Sequence, residues 1–271
     1  MNAHLRIDGE TLVFPIIGHP IGQVKSPASL SQIMAERGYN GMVVPVHVLP
    51  QDLDGWLQHA AAVQNCRGIV VTVPHKVASM QICSRVTARA QTSGAVNILL
   101  RDETGWVGDA TDGQGFMDGV NAQNFDVAGK PALLVGGGGA GSAIAYEILA
   151  RGASELALHD IDAGRRDGLI ARLNAIFPGR VRVGSDDPRG FALVANATPL
   201  GMRETDPLPV QVDLLEPGQF VADVVTRPAV PPLMAAARAK GCGTMPGSAM
   251  FEAQAVLLAE LLMGVRKAAL D

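Results

Sequence analysis

Three short segments concentrate polar side chains among apolar neighbours: Thr72-Val-Pro-His-Lys76, Val96-Asn97 and Thr111-Asp112-Gly113. Each borders a run that reads as a β-strand, and catalytic groups in open α/β sheets gather at the carboxyl ends of strands. Oxidising an alcohol by hydride transfer also removes the hydroxyl proton, so a base must stand within hydrogen-bond reach. Lys76 and Asp112 suit that task as a pair, since burial lowers the pKa of a lysine and a nearby carboxylate raises it again. On spacing alone the same two residues also read as a surface lysine and an Asp that caps the following helix.

A second chemical feature is the stretch Pro131-Ala-Leu-Leu-Val-Gly136-Gly-Gly-Gly-Ala140-Gly141-Ser142, followed by helix-forming residues to Leu149. Gly136, Gly138 and Gly141 fit G-x-G-x-x-G. That spacing permits a tight turn, close backbone approach to a pyrophosphate and close helix-on-strand packing. The N–H groups of Gly139 and Ala140 would then open a helix whose dipole favours negative charge. Glu155-Leu-Ala-Leu-His-Asp160 reads as the next strand, with Asp160 19 residues beyond Gly141. An acidic residue there is placed to hold the ribose hydroxyls of an adenosine. The segment is read as a nucleotide-binding Rossmann unit; an αβ unit with a glycine-rich turn is the plainer alternative.

The elements that must position these groups follow from periodicity. Thr11–Ile17, Met42–Val48 and Arg67–Val73 are strand candidates, and Ala28–Arg37 and Asp52–Val63 have helical spacing. Gly94–Leu100 and Gly105–Gly108 suggest a hairpin around Asp102-Glu103. Further on, strands are expected near 132–135, 155–159, 181–183, 192–195 and 219–223, and a long amphipathic helix over Ser248–Lys267. Such alternation predicts an α/β fold with mostly parallel sheets and crossover helices. The expected division is a first domain over 1–115, completed by 248–271, and a Rossmann domain over 116–247.

Composition narrows the partners. The chain has 271 residues, 48% hydrophobic, with a net charge of −4 and no basic tract, which argues against nucleic acid. Apolar runs are short and broken, so neither a signal peptide nor a membrane span is expected. Cys66, Cys83 and Cys242 are too scattered for a disulfide framework or a zinc site, and His19 and His47 have no metal-like partners. A cytoplasmic protein without a metal is expected; monomer and homodimer both stay open.

Taken together and in order, Gly68-Ile-Val-Val-Thr72-Val-Pro74-His75-Lys76, Ala95-Val-Asn97, Gly108…Thr111-Asp112-Gly113, the 136–141 loop, Asn196-Ala-Thr-Pro-Leu-Gly-Met202 and Gly247…Met250…Gln254 resemble the shikimate dehydrogenase family, including its quinate/shikimate branches. The resemblance runs from about Phe14 to Gly264. It implies an N-terminal substrate domain, a Rossmann NAD(P)-binding domain and a C-terminal helix folding back onto the first. It also implies that Lys76 and Asp112 form the catalytic pair. Ser26, Thr72, Asn97 and Gln254 would hold the hydroxyls and carboxylate of a cyclic polyol acid, and Asn196, Thr198 and Gly247 would join the glycine loop at the cofactor.

Departures from the family pattern bear on substrate. Only Ser26 remains of the Ser-x-Ser-Pro loop, because Val24 stands at the other serine. Val70 and Ala110 replace asparagines, and Thr226 replaces the tyrosine of Asp-x-x-Tyr-x-Pro. Val24 and Thr226 remove hydroxyl donors, each worth roughly 1.5–3 kcal/mol to a charged acceptor; Lys25 could compensate. For the cofactor, Asp160 puts a carboxylate where NADP-using members carry an arginine, so NAD is expected over NADP, with Arg165 and Arg166 as possible counterweights. Rival readings are the same chemistry on another ring acid, a non-enzymatic NAD- or metabolite-sensing relative, and a methyltransferase.

Overall fold

The computed structural model describes residues 6–268. The chain forms two compact units: residues up to Thr111 joined by those from Ala255 onward, and Asp112–Gln254 between them.

The first unit contains β1 (Leu12–Gly18), α1 (Ser26–Glu36), β2 (Gly41–His47), α2 (Leu53–Ala60), β3 (Gly68–Val71), α3 (Lys76–Met80), β4 (Arg85–Val86), α4 (Ala88–Ser93), β5 (Ile98–Asp102) and β6 (Gly105–Asp109). Its strand order is β2-β1-β3-β5-β6-β4. β1 runs parallel to β2 and β3, and β4 parallel to β6, whereas β5 is antiparallel to both β3 and β6. The expected hairpin is therefore β5–β6, and it makes this sheet mixed. Period-two alternation divides the core. Phe14, Ile16, Val70 and Ile98 face one apolar cluster, and Ile17, Ile69, Val71 and Leu99 face the other.

The second unit contains α5 (Asp112–Ala122), β7 (Pro131–Val135), α6 (Gly139–Ala150), β8 (Glu155–His159), α7 (Ala163–Ile176), β9 (Val181–Val183), β10 (Leu193–Asn196), β11 (Phe220–Asp223), α8 (Pro232–Ala239), β12 (Gly243–Met245) and the start of α9 (Gly247–Leu262). All its pairings are parallel, in the order β12-β11-β10-β7-β8-β9. Read from the far edge, this is the 3-2-1-4-5-6 order of a doubly wound nucleotide-binding sheet. Near-continuous apolar strands fit a sheet buried on both faces. Ala132, Leu134 and Leu158 pack beneath α5 and α6, while Leu133, Val135 and Val194 pack beneath α8.

Three departures from the sequence reading have local causes. The two-residue β4 and three-residue β12 are too short to carry a period of their own. α5 begins at Asp112, in a segment whose glycines give no helical periodicity, and those glycines pack closely: Gly113 lies against the Ala143 carbonyl of α6 and Gly115 against Gln254. α9 ends at Leu262, short of Lys267, and Gly264 follows in a left-handed conformation.

α9 crosses the division between the units. Its Leu257, Leu258, Leu261 and Leu262 are buried with Phe14, Leu30 and Met34 in the first unit. Among the described residues, no helix is long and apolar enough to cross a membrane. Leu257→Ala, at a site only 1% exposed, is expected to lower unfolding free energy by about 2–4 kcal/mol. Urea unfolding measures this, and a loss well below 1 kcal/mol would show that α9 does not close this core.

Candidate active site

One edge of the first sheet gathers the polar segments. β3 delivers Thr72 to this edge at its carboxyl end, and antiparallel β5 starts there just after Asn97. The N–H of Val71 donates to the Asn97 carbonyl at 2.8 Å, and the N–H of Val96 to the Lys76 carbonyl at 3.0 Å. Lys76, half-buried, opens α3. Its neighbour His75 is buried, with Nε2 donating to the Val48 carbonyl at 2.8 Å. That bond fixes the loop and makes His75 a structural member.

Asn97 is 4% exposed. Its Oδ1 accepts from the Thr111 backbone N–H at 2.9 Å and its Nδ2 donates to Thr111 Oγ1, also at 2.9 Å. Beneath them lies a cluster that sequence reasoning missed. The fully buried Asp109 carboxylate accepts from Arg89 Nε (2.7 Å) and Nη2 (3.0 Å), Thr87 Oγ1 (2.6 Å) and the Ala110 N–H (2.7 Å). A bidentate arginine on a buried carboxylate is directional as well as strong, so residues 109–111 leave β6 in a fixed course. Arg89 lies twenty residues away on α4, and nothing in its local pattern marks it.

The remaining predicted substrate residues fall as follows. Lys25 is exposed and precedes α1, and half-buried Ser26 is the first residue of that helix. Val24 is half-buried and packs against the outside of the Phe14 cluster. Val70 and Ala110 are buried in apolar clusters as well, whereas Thr226 is exposed. His19 and His47, read separately in the sequence, stand together: Nδ1 of His19 lies 2.7 Å from Nε2 of His47, with the rings stacked.

In the second unit Asp112 opens α5 and accepts a 2.6 Å hydrogen bond at Oδ1 from Gln254 Nε2. Their separation of 142 residues hides this contact from any local motif.

The glycine turn follows β7. Gly136 has φ +102°, and a Cβ there would lie 2.8 Å from Thr198 Cγ2. At Gly141 a Cβ would lie 1.9 Å from the Gly136 carbonyl oxygen. By contrast, nothing lies within 4 Å of a Cβ built on Gly138 or Gly139, which leaves the N-terminus of α6 open beside Gly139 and Ala140. A dinucleotide pyrophosphate fits such a cradle. Asp160, at the end of β8, accepts from the Gly137 N–H at 2.7 Å and the Asp162 N–H at 2.8 Å. Burial pushes its carboxyl up, but those N–H groups and the Arg165 guanidinium, 3.4 Å away, hold it below the usual range.

Asn196 is a buried brace. Its Oδ1 accepts from the N–H (3.0 Å) and hydroxyl (2.7 Å) of Thr198, and its Nδ2 donates to Asp223 Oδ1 at 2.9 Å. Gly247 lies against the carbonyls of Val224 and Val225. Asp223 is wholly buried and its Oδ2 has no hydrogen-bond partner. Burial therefore raises its carboxyl to about 6 despite the Val225 and Asn196 donors. The folded state keeps this proton up to about pH 6 while the unfolded chain releases it near 3.8. Stability from this group is thus greatest below pH 4 and declines as pH rises to 6. Between pH 4 and 7, wild type should lose up to about 3 kcal/mol relative to Asp223→Asn. Urea unfolding across that range reads the difference, and a flat difference curve would contradict it.

A parallel sheet in doubly wound order, a glycine turn open above α6 and an acidic strand end define a dinucleotide-binding α/β protein, here joined to a second sheet with a polar edge. Residues 16–99 match the model of the shikimate dehydrogenase substrate binding domain. The shikimate dehydrogenase (NADP(+)) of Rubrobacter xylanophilus is 39% identical over 258 residues, covering 93% of this chain and 90% of that protein. Among solved structures, shikimate 5-dehydrogenase from Listeria monocytogenes, in complex with shikimate and NAD, has a TM-score of 0.89 at 25% identity, covering 97% of this chain and 94% of that one. Ligand-free 5-ketofructose reductase of Gluconobacter sp. strain CHM43 has a TM-score of 0.86 at 26% identity, with coverage of 96% and 95%. The chain belongs to the shikimate dehydrogenase family.

Proposed function

We propose that this protein interconverts shikimate, or the related quinate, and the 3-dehydro form with a nicotinamide cofactor. The observation that carries this reading is the convergence of Thr72, Lys76 and Asn97 on one sheet edge, with the Asn97 amide anchored by Thr111 directly before Asp112. Family membership supports the same assignment.

In this reading the cofactor pyrophosphate lies along Gly138, Gly139 and Ala140, and Asp160 accepts from the adenosine ribose. When bound, the nicotinamide supplies the hydride acceptor. Lys76 Nζ takes the proton of the ring hydroxyl, and the Asp112 carboxylate, oriented by Gln254, stabilises the charge on lysine. Asn97 and Thr72 orient the ring hydroxyls, while Ser26 and Lys25 face the substrate carboxylate. Asn196 and Thr198 act on the cofactor by shaping the turn around Gly136. Lys76→Ala should reduce kcat by about 10²–10⁴-fold with little change in thermal stability. Steady-state NADH formation with shikimate and with quinate tests this, and undiminished turnover would exclude Lys76 as the base.

NAD is the proposed preference. A carboxylate at the ribose accepts hydroxyl donors and repels a 2′-phosphate, and the low pKa of Asp160 keeps that charge in place. Asp160→Ser should raise the kcat/KM ratio of NADP to NAD by about tenfold or more, since 1.4 kcal/mol is a factor of ten. A wild-type ratio already favouring NADP would refute the preference.

A second reading keeps the chemistry and changes the ring. Val24, which packs against the Phe14 cluster and carries no hydroxyl, and Thr226, which is exposed, leave fewer hydroxyls for a carboxylate than the family pattern offers. Feeble turnover of shikimate and quinate that still depends on Lys76 would favour another cyclic polyol substrate.

A further inference from the structure

At the amino end of β3, the opposite end from Thr72, the first unit contains a cavity of about 530 Å³. Arg67, Arg85, Arg101, Arg266 and Lys267 line it, against the single carboxylate of Asp102. They come from four separate segments of a chain whose net charge is −4. Cations gathered this way repel one another, and a concave wall focuses their field.

The nearby carboxylates answer only part of that charge. Asp102 is paired with Arg85 and also accepts from the N–H and hydroxyl of Thr104, both at 2.7 Å. Glu260, at the end of α9, is held by Arg37 through two 3.0 Å hydrogen bonds. Arg266 and Lys267 suit the negative end of the α9 dipole. Arg67, Arg85 and Arg101 lie beside or within strands, away from that dipole, and of the three only Arg85 is shown with a carboxylate partner. Arg101 is fixed by donating from Nη1 to the Val63 carbonyl at 3.0 Å. A smaller recess of about 260 Å³ shares Arg67 and Arg101.

The rest of the wall is apolar, formed by Leu100, Val107, Leu261, Leu262 and the ring of Tyr39. Burial raises the Tyr39 phenol against the opposing charge of Arg67, so the hydroxyl stays a donor at neutral pH. Apolar walls with a few convergent polar groups are the usual make-up of a small-molecule site, and guanidinium forks match carboxylate and phosphate.

We infer that this cavity is a second binding site, for an organic anion joining a phosphate or carboxylate head to an apolar, ring-sized body. It is separate from the Thr72–Lys76 edge, since the five steps of extended chain from Arg67 to Thr72 span roughly 16 Å.

Calorimetric titration of the full chain with phenyl phosphate tests the site. Saturable one-to-one binding is expected, persisting with shikimate and NAD at saturation. It should weaken at least about tenfold in Arg67→Gln/Arg266→Gln, and also in wild type between about 0.05 and 0.5 M salt. Arg67→Lys, which keeps the charge, should retain binding, and circular dichroism checks that each variant folds. Absence of saturable binding, displacement by shikimate or NAD, or indifference to both salt and the double variant would overturn the site. Inorganic phosphate or benzyl alcohol binding as tightly as phenyl phosphate would overturn the ligand class.

Discussion

The second unit depends on one close approach. The first turn of α6 passes so near the end of β7 that Gly141 has no room for a Cβ beside the Gly136 carbonyl. This contact sets where the helix begins and which way it points. The turn that remains exposes Gly138 and Gly139 and leaves N–H groups at a helix start without a side chain in the way. Asp160 then binds the Gly137 N–H, so the acidic strand end and the turn hold one another. Glycine at 141 is thus the condition for the turn, the helix and the carboxylate to coexist.

Polar pairs buried at strand ends do comparable work elsewhere. Asp109 with Arg89, Asn97 with Thr111, and Asn196 with Asp223 each fix a loop just where a strand stops. A buried polar group left without its partner costs about 1–3 kcal/mol, which makes these loops two-way commitments rather than adjustable connections. Asp223 is the exception, because its second oxygen is orphaned. Its burial is why its carboxyl is raised to about 6.

Legibility in the sequence followed the range of the interaction. Strands β7, β8, β10 and β11 were readable because apolar runs bounded by glycine or a polar residue are local signals. The glycine turn and Asp160 were readable because spacing alone carries them. The antiparallel course of β5 showed in the turn residues Asp102–Glu103. By contrast, the Gln254–Asp112 bond and the Arg89–Asp109 pair join distant segments, and no periodicity marks either end. The contact of half-buried Val24 with the Phe14 cluster is likewise a matter of packing, invisible until that cluster is assembled. β4 and β12 exist only because longer neighbours offer them an edge.

α9 gives the chain an unusual order of assembly. One face of the first sheet is covered by Leu257, Leu258, Leu261 and Leu262, which leave the ribosome only after the entire second unit. The unit that emerges first therefore cannot complete its core first. Leu30, Met34 and Val43 can pack with Phe14, Val70 and Ile98 from the start, but this cluster is complete only once α9 has been made. The opposite face needs no such delay, since the cluster around Ile17, Ile69 and Leu99 is built wholly from residues that precede the second unit.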